Sequence, residues 1–331
     1  MSAELKGGVL TRGFNPQRAI SVPGLVAVMR RTPHLAEDYA RRHGVARWYA
    51  SARDLIEDPG VDAVYVAAPP GAHLELALAV AAAGKPAYVE KPMARSHAEC
   101  RRLNEAFAAA GAPLFVAYYR RALPRFARVR RLLDEGRIGR PASLSYRYAR
   151  SRQRSLGAGA WRLDPRHSGG GLLLDVGSHA LDLFDWLLGP LEAVSGVALR
   201  RGPDPGAVED TVAMSFRAGD VAGAATWDFA GVGPHEDRAE IAGTEGLLRF
   251  AVFGDEPLHL VTAAGEERLA APVGSPVQQP LIQSVVDALR GEGTCPSTGE
   301  SAARTSRVMD EVLAAFYGGR DDAFWERSDR L

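Results

Sequence analysis

The chain has 331 residues with 40 basic and 40 acidic side chains, so its formal net charge is zero with histidine neutral. That balance gives no support to a nucleic-acid or membrane-surface partner, since polyanionic surfaces select basic proteins. Apolar content of 46% and charged content of 24% are ordinary for a globular protein, and the length allows two domains with cores of their own. Cys100 and Cys295 are too few and too far apart for a disulfide framework or a zinc site, so a reducing, cytoplasmic setting is expected and no metal. The first residues, Met1 to Lys6, lack the basic segment and apolar run of a signal peptide, and no apolar stretch approaches the ~20 residues of a membrane span.

From about residue 24 to 120, strand-like and helix-like runs alternate. Leu25 to Met29 reads as a strand, and Pro33 to His43 as a helix stopped by Gly44. A short helix over Ala52–Glu57 ends at Asp58-Pro59. Val61 to Ala67 is the next strand, closed by Pro69-Pro70-Gly71, and His73 to Ala83 an alanine-rich helix. Ala87 to Glu90 is a strand. Ser96 with Glu99 three residues on is a capping-box pattern that opens a helix running to Gly111. Leu114 to Tyr118 is again a strand. This alternation predicts a parallel sheet with crossover helices, and in such sheets ligands sit beyond the carboxyl ends of the strands. Met29-Arg30-Arg31, Ala68-Pro69-Pro70, Glu90-Lys91 and Tyr118-Tyr119-Arg120 all stand at such ends.

Beyond residue 120 the texture changes. Helical runs at Pro124–Glu135 and Leu172–Leu188 flank a strand at Ala142–Arg150. Strand candidates follow at Glu192–Arg200, Thr211–Arg217, Ala222–Phe229, Arg238–Ala242, Gly246–Ala251 and Leu258–Thr262. Helices at Pro280–Arg290 and Ser301–Phe316 close the chain. The expected fold class is α/β: an N-terminal Rossmann-type parallel sheet over residues 1–120, then an α+β domain over 121–331 with a large, mostly antiparallel open sheet covered on one face by helices.

Two stretches carry chemistry. Val89-Glu90-Lys91-Pro92 puts a lysine at the end of an apolar strand, and Gly169-Gly170-Gly171 precedes Asp175 and His179, four residues apart and on one helix face. A histidine exchanges protons near neutral pH, a lysine can hold a reacting oxygen, and a carboxylate can orient a hydroxyl. Next to a nucleotide-binding domain, such a set suits hydride transfer coupled to proton transfer. The glycines are expected to let backbone approach a ligand closely.

Taken in order, Val61–Pro70, Glu90-Lys91-Pro92, Trp161-Arg162, Gly169–His179 with Asp182, and Ile241–Gly246 resemble the family of glucose–fructose oxidoreductase and inositol dehydrogenase, Gfo/Idh/MocA. The likeness runs from about residue 18 onward. It implies NAD(P)-dependent oxidation or reduction of a sugar, polyol or related compound, with Lys91, Asp175 and His179 at the catalytic positions. Cofactor contacts are expected at Gly13, Arg30, Arg31, Ala68, Pro69, His73, Glu90 and Lys91, and substrate contacts at Tyr119, Arg120, Trp161, Arg162 and Asp182. Self-association into a homodimer or homotetramer through the C-terminal sheet is implied too.

The chain departs from the pattern at its start. If Gly8-Val9-Leu10 is the first strand, Thr11-Arg12-Gly13-Phe14-Asn15-Pro16 stands where Gly-x-Gly-x-x-Gly belongs, and only Gly13 matches. The run from Gln17 to Val22 is too short for the usual crossover helix. A second alignment makes Glu4-Leu5-Lys6 part of the first helix and puts the first strand upstream of Met1. An altered start or frame, weak cofactor binding and a non-catalytic sugar- or nucleotide-binding protein all remain open, as do dihydrodiol dehydrogenase and biliverdin reductase chemistry. After the strand at Leu25–Met29, Arg30 and Arg31 occupy the place where NAD-preferring domains carry an acidic residue, so NADP(H) is expected over NAD(H).

Overall fold

The computed structural model describes residues 7–11, 24–150, 160–201, 208–231 and 233–327. These divide into two compact units. The first comprises residues up to Tyr119 together with Gln278–Ala303; the second comprises Arg120–Val277 and the residues from Arg304 on. The expected single cut near residue 120 therefore has a second part, because a later segment of the chain returns to the first unit.

The first unit is built on six parallel strands: β1 (Gly7–Thr11), β2 (Leu25–Arg30), β3 (Arg47–Tyr49), β4 (Ala63–Ala67), β5 (Ala87–Val89) and β6 (Leu114–Val116), in the order β3-β2-β1-β4-β5-β6. This is the strand order of dinucleotide-binding domains, with its topological switch where β1 lies beside β4. β1 pairs with β2 on one side and β4 on the other. Gly7–Thr11 is thus the central strand, and the alignment that leaves the first strand upstream of Met1 is set aside. Gly13 and the run Gln17–Val22 lie outside the described residues.

Helices α1 (Pro33–His43), α2 (Ala52–Glu57), α3 (His73–Ala82) and α4 (His97–Ala110) follow β2, β3, β4 and β5 in the chain. α1 starts at a proline, whose missing N–H costs nothing there, and stops at Gly44, which is left-handed with φ 64° and donates its N–H to Ala40 O. Ser96 caps α4 by accepting the Glu99 amide at 3.3 Å. Val64, Val66, Val89 and Val116 on the strands are buried with Leu76, Val80, Leu103 and Phe107 of α3 and α4, in one apolar core. The short strand β3 has no alternating pattern in Arg47-Trp48-Tyr49 and is missed by periodicity.

The second unit is an eight-stranded sheet of β7 (Pro141–Ala149), β8 (Leu191–Leu199), β9 (Thr211–Ala218), β10 (Val221–Asp228), β11 (Glu236–Gly243), β12 (Gly246–Phe250), β13 (Leu258–Thr262) and β14 (Gly265–Leu269). Its order is β14-β13-β12-β11-β7-β10-β9-β8, antiparallel except where β7 and β10 run parallel. Alternation assigns one face inward: Leu144, Tyr146, Tyr148, Val212, Met214, Phe216, Ala225 and Trp227 are buried. On the other face Val197 and Leu199 of the edge strand β8 are 53% and 46% exposed.

Among the described residues, this unit also holds α5 (Pro124–Asp134), the short α6 (Pro165–Ser168) and α7 (Ser178–Leu188). Phe184 of α7 meets Tyr146 of the sheet edge-on, ring centroids 5.3 Å apart, which seats α7 on the buried face. Helices α8 (Gln279–Arg290) and α9 (Gly299–Tyr317) follow the sheet in sequence; α8 belongs to the first unit, and the division falls inside α9.

Candidate active site

In the first unit, β5 ends at Val89 and delivers Glu90, Lys91 and Pro92 to the carboxyl edge of the sheet, with the Lys91–Pro92 bond cis. Glu90 continues the ladder for one residue, its N–H donating to Val66 O at 3.0 Å. Its carboxylate accepts from Tyr65 Oη at 2.6 Å, from Gln278 Nε2 at 3.0 Å and from the Lys91 amide at 3.1 Å. Burial and the neighbouring Glu90 push the Tyr65 phenol well above its ordinary range, so it keeps the proton it donates. Glu90 therefore shapes the turn that carries Lys91, with both oxygens accepting from protein donors.

His73 has a similar outcome. Its ring is fully buried, with Nδ1 3.0 Å from Pro92 O and Nε2 2.7 Å from Ala68 O. Burial lowers its pKa, against the pull of the two carbonyls and Glu90. The ring ties the loop after β4 to the loop after β5. Ala68 and Pro69 are partly exposed just past β4, Arg30 is partly exposed at the end of β2, and Arg31 is exposed. An apolar loop beside the switch point, with Arg30 ending β2 and Arg31 following it, leaves chemistry that fits a dinucleotide at the carboxyl edge of the sheet.

In the second unit the glycine run is held by the chain itself. Glu209, buried just before β9, accepts the Gly171 amide at 2.9 and 3.0 Å on its two oxygens. Tyr317 donates to the same carboxylate at 2.6 Å, and Arg320 Nη1 donates to Gly169 O at 2.8 Å. A Cβ on Gly171 would stand 2.3 Å from Glu209 O, and one on Gly170 2.8 Å from Leu174 Cδ1. At Gly171 and Gly170 the close approach that glycine permits is to Glu209 and Leu174.

The helix that follows starts as a π-helical turn over Leu173–Gly177 and becomes α-helical at Ser178. Such a turn inserts an extra residue into the helical winding and recurs at functional sites. Its cause here is local: a Cβ at Gly177 would lie 2.5 Å from Leu173 Cδ1 and 3.3 Å from Trp227 Nε1, so the glycine allows the turn to pack. Asp175 projects from this wider turn and His179 from the first turn of α7. Arg162 Nε donates to Asp175 Oδ2 at 3.1 Å, and the Arg162 guanidinium lies 4.4 Å over the Trp161 ring. Trp161, Arg162 and Asp175 are thus brought together. His179 is 5% exposed and meets Phe253 edge-on, centroids 6.1 Å apart at 83°.

Asp182 and Arg120, two of the expected substrate contacts, are buried. Asp182 is 1% exposed; its carboxylate takes Arg121 Nε and Nη2, each at 2.8 Å, and Thr305 Oγ1 at 3.3 Å. Burial pushes Asp182 up, against the pull of Arg121. Arg120 is 5% exposed, donates from Nε to Val252 O at 3.0 Å, and places its guanidinium 4.2 Å from the Phe253 ring centre. Tyr119 is partly buried in a 3-10 turn that runs to Ala122. Sequence reading passed over Glu209, Asp237 and Phe253. Glu209 sits next to Asp210 ahead of a strand, a pair that reads as a turn, and only the fold discloses its distant partners.

Comparison with known proteins now gives the class. Residues 11–118 match the family model described as an oxidoreductase family with an NAD-binding Rossmann fold, and residues 126–249 match the GFO/IDH/MocA C-terminal domain. The chain belongs to the Gfo/Idh/MocA family of NAD(P)-dependent oxidoreductases. It is 32% identical over 289 residues to an oxidoreductase of Formosa agariphila, covering 86% of this chain and 89% of that one. It is 31% identical to the 1,5-anhydro-D-fructose reductase of Ensifer adhaerens, over 83% of this chain and 84% of that one. With the scyllo-inositol 2-dehydrogenase (NAD(+)) of Bacillus subtilis it shares 31% identity over 74% of this chain and 72% of that one. A levoglucosan dehydrogenase solved with NADH and levoglucosan has the same fold, with a TM-score of 0.82 at 23% identity, over 94% of this chain and 97% of that one. Among the described residues, no helix is long and apolar enough to cross a membrane.

Proposed function

We propose that this oxidoreductase transfers a hydride between NADP(H) and a hydroxyl or carbonyl carbon of a sugar, polyol or related compound. The observation that carries the reading is Lys91, two residues past the end of β5, at the carboxyl edge of a parallel sheet in dinucleotide-binding order. Relatives named for 1,5-anhydrofructose and scyllo-inositol support the substrate class. A bound nicotinamide supplies the hydride acceptor or donor. His179 takes the hydroxyl proton in oxidation and returns it in reduction. Lys91 holds the reacting oxygen by donation from its ammonium and stabilises the charge that develops on it. Asp175, oriented by Arg162, accepts from a substrate hydroxyl and sets the ring's position. Arg30 and Arg31 pair with a ribose phosphate, which favours NADP(H). The exposed outer face of the second sheet, with Val197 and Leu199, supports self-association into a homodimer or homotetramer. Buried, distant Cys100 and Cys295 are consistent with a cytoplasmic setting.

Titration of nicotinamide fluorescence tests the cofactor half. NADPH is expected to bind at least about tenfold more tightly than NADH, as a lost charge-assisted pair of contacts implies. Equal affinities overturn the NADP preference. Binding of neither turns the reading to a non-catalytic sugar- or nucleotide-binding protein, which Thr11 and Pro16 in the fingerprint favour. Lys91→Ala and His179→Ala are each expected to lower kcat by about 10²–10⁴-fold. Unchanged turnover in either discards the assigned role.

A further inference from the structure

The segment Ala251–Gly254, between β12 and β13, is held from both sides of its backbone. On the N–H side, the Asp237 carboxylate accepts from Val252 at 3.1 Å, Phe253 at 2.6 Å and Gly254 at 3.1 Å. Tyr146, a buried tyrosine whose proton is kept by burial and by Asp237 itself, donates to the same carboxylate at 3.1 Å. On the carbonyl side, Arg125 Nη2 donates to Ala251 O at 3.4 Å and Arg120 Nε to Val252 O at 3.0 Å. Half-buried Asp237 and buried Tyr146, Arg120 and Arg125, gathered on one loop, fix its geometry closely. What they fix is the Phe253 ring. Arg120 covers it at 4.2 Å, Tyr148 meets it at 5.2 Å, and His179 meets it edge-on at 6.1 Å. Yet Phe253 is not part of the closed core; it keeps part of its surface exposed.

We propose that Phe253 is a specificity-determining residue, an apolar wall beside His179 that takes the C–H face of a ring-form sugar or cyclic polyol. This rests on the functional reading above and narrows it. A ring-form polyol carries its hydroxyls around a rim and presents C–H groups on its faces. A flat aromatic surface offers those faces dispersion and quadrupole attraction, while the polar groups of the site take the rim. An open-chain polyol has no such face and must also be frozen into one conformer to mimic it. A wall fixed by Asp237 and two arginines is preorganised for the ring form, at little cost on binding.

The test compares the wild-type chain with Phe253→Leu and Phe253→Ala on D-glucose and myo-inositol as ring-form probes and D-glucitol as the open-chain probe. Turnover is followed by NADPH absorbance. Phe253→Ala is expected to lower kcat/KM about tenfold for a ring-form probe, mainly through KM, and less than about twofold for D-glucitol, as loss of an apolar pocket contact predicts. Phe253→Leu, which keeps the apolar volume, falls between. Saturation-transfer NMR on the wild type is expected to carry signal from aromatic protons to ring C–H protons of the bound probe, and Phe253→Ala to lose it. Equal losses on ring-form and open-chain probes, or no loss and unchanged transfer, overturn the proposal while leaving the oxidoreductase reading intact. A wild-type chain that binds cofactor but neither turns over nor binds any probe overturns the substrate class itself, and the inference with it. If Phe253→Ala fails to fold, Phe253→Leu decides by the same comparison.

Discussion

Arg162 donates its Nε–H to Oδ2 of Asp175 at 3.1 Å while its guanidinium lies over Trp161, 4.4 Å from the ring centre. Both side chains of this pair are about one-third exposed, at 31% and 29%. A pair so open to water contributes little to stability, about 0–1 kcal/mol before screening. Its consequence is orientation. Arg162→Ala is expected to leave the melting temperature within a few degrees and to raise KM several-fold. Arg162→Lys recovers only part of the loss, because an ammonium lacks the planar fork and the stacking on Trp161. Steady-state kinetics beside thermal melts decide it; an unchanged KM in Arg162→Ala would falsify the orienting role.

Gly171 is a packing requirement. With Glu209 O only 2.3 Å from where a Cβ would stand, Gly171→Ala must displace backbone and not just a flexible side-chain end. The expected cost is about 2–3 kcal/mol, in the overpacking range. Gly293→Ala is the control, since its Cβ would meet only Asp287 Cβ at 3.5 Å, an ordinary contact. Urea unfolding of both variants reads the difference. Equal midpoints would show that the Gly171–Glu209 contact yields.

Glu209 gives a pH signature. Burial raises its pKa above the ordinary carboxylate value, although the Tyr317 hydroxyl and the Gly171 amide pull it down. The folded state therefore binds a proton more readily than the unfolded state. By linkage, this group's contribution to stability is fully present below the unfolded glutamate pKa and is lost as pH rises through the folded one. The stability of wild type relative to Glu209→Gln, which removes the titration and keeps the shape, is expected to rise as pH falls from neutrality towards the ordinary glutamate range. Unfolding free energies of the two proteins across that range test it, and a flat difference contradicts it.

Asp182 and Asp185 hold Arg121 in the interior; Asp185 also takes Arg304 Nη2 at 2.7 Å. Removing one partner of a buried pair strands the other. Asp182→Ala is expected to cost about 3–5 kcal/mol, and the double change Asp182→Leu with Arg121→Met markedly less. A double-mutant cycle by chemical denaturation measures this. Equal costs for the single and double changes would mean that Arg121 finds adequate partners without Asp182.

Much of the architecture was legible from spacing alone. The alternation from Leu25 to Val116 predicts the parallel sheet because each strand is a short apolar run bounded by helix caps and stops that act locally, such as Ser96, Gly44 and Gly111. The inward residues of β7 and β9 show equally clearly in their period of two. What escaped depended on distant partners. Arg47-Trp48-Tyr49 has no periodicity and becomes β3 only by pairing with β2. Leu172–Leu188 reads as one helix, but Gly177 lets Leu173 fold against it and the first turn widens. His73, Glu90, Arg120 and Asp182 carry polar groups of the kind ligands use, and sequence does not show the carbonyls, tyrosine, loop and arginine that they meet in the fold. Conversely, Phe253 looks like any apolar loop residue until Asp237 is found beneath its backbone.

The return of Gln278–Ala303 to the first unit has a consequence for the order in which the protein is made. Strand β6 is completed from that segment: Val116 N–H donates to Ser297 O at 3.2 Å, and Ser297 Oγ donates to Val116 O at 2.7 Å. Gln278, from the same segment, completes the acceptor bonds of Glu90 beneath Lys91. On the ribosome, none of these groups exists until the whole interval Arg120–Val277 has been synthesised, a delay of roughly 8–30 s at ordinary elongation rates. During that time β6 presents an unpaired edge and the lysine turn lacks part of its support. The dinucleotide-binding unit begins first and finishes late, so a nascent chain meets its greatest exposure to edge pairing and aggregation while the other unit is still emerging.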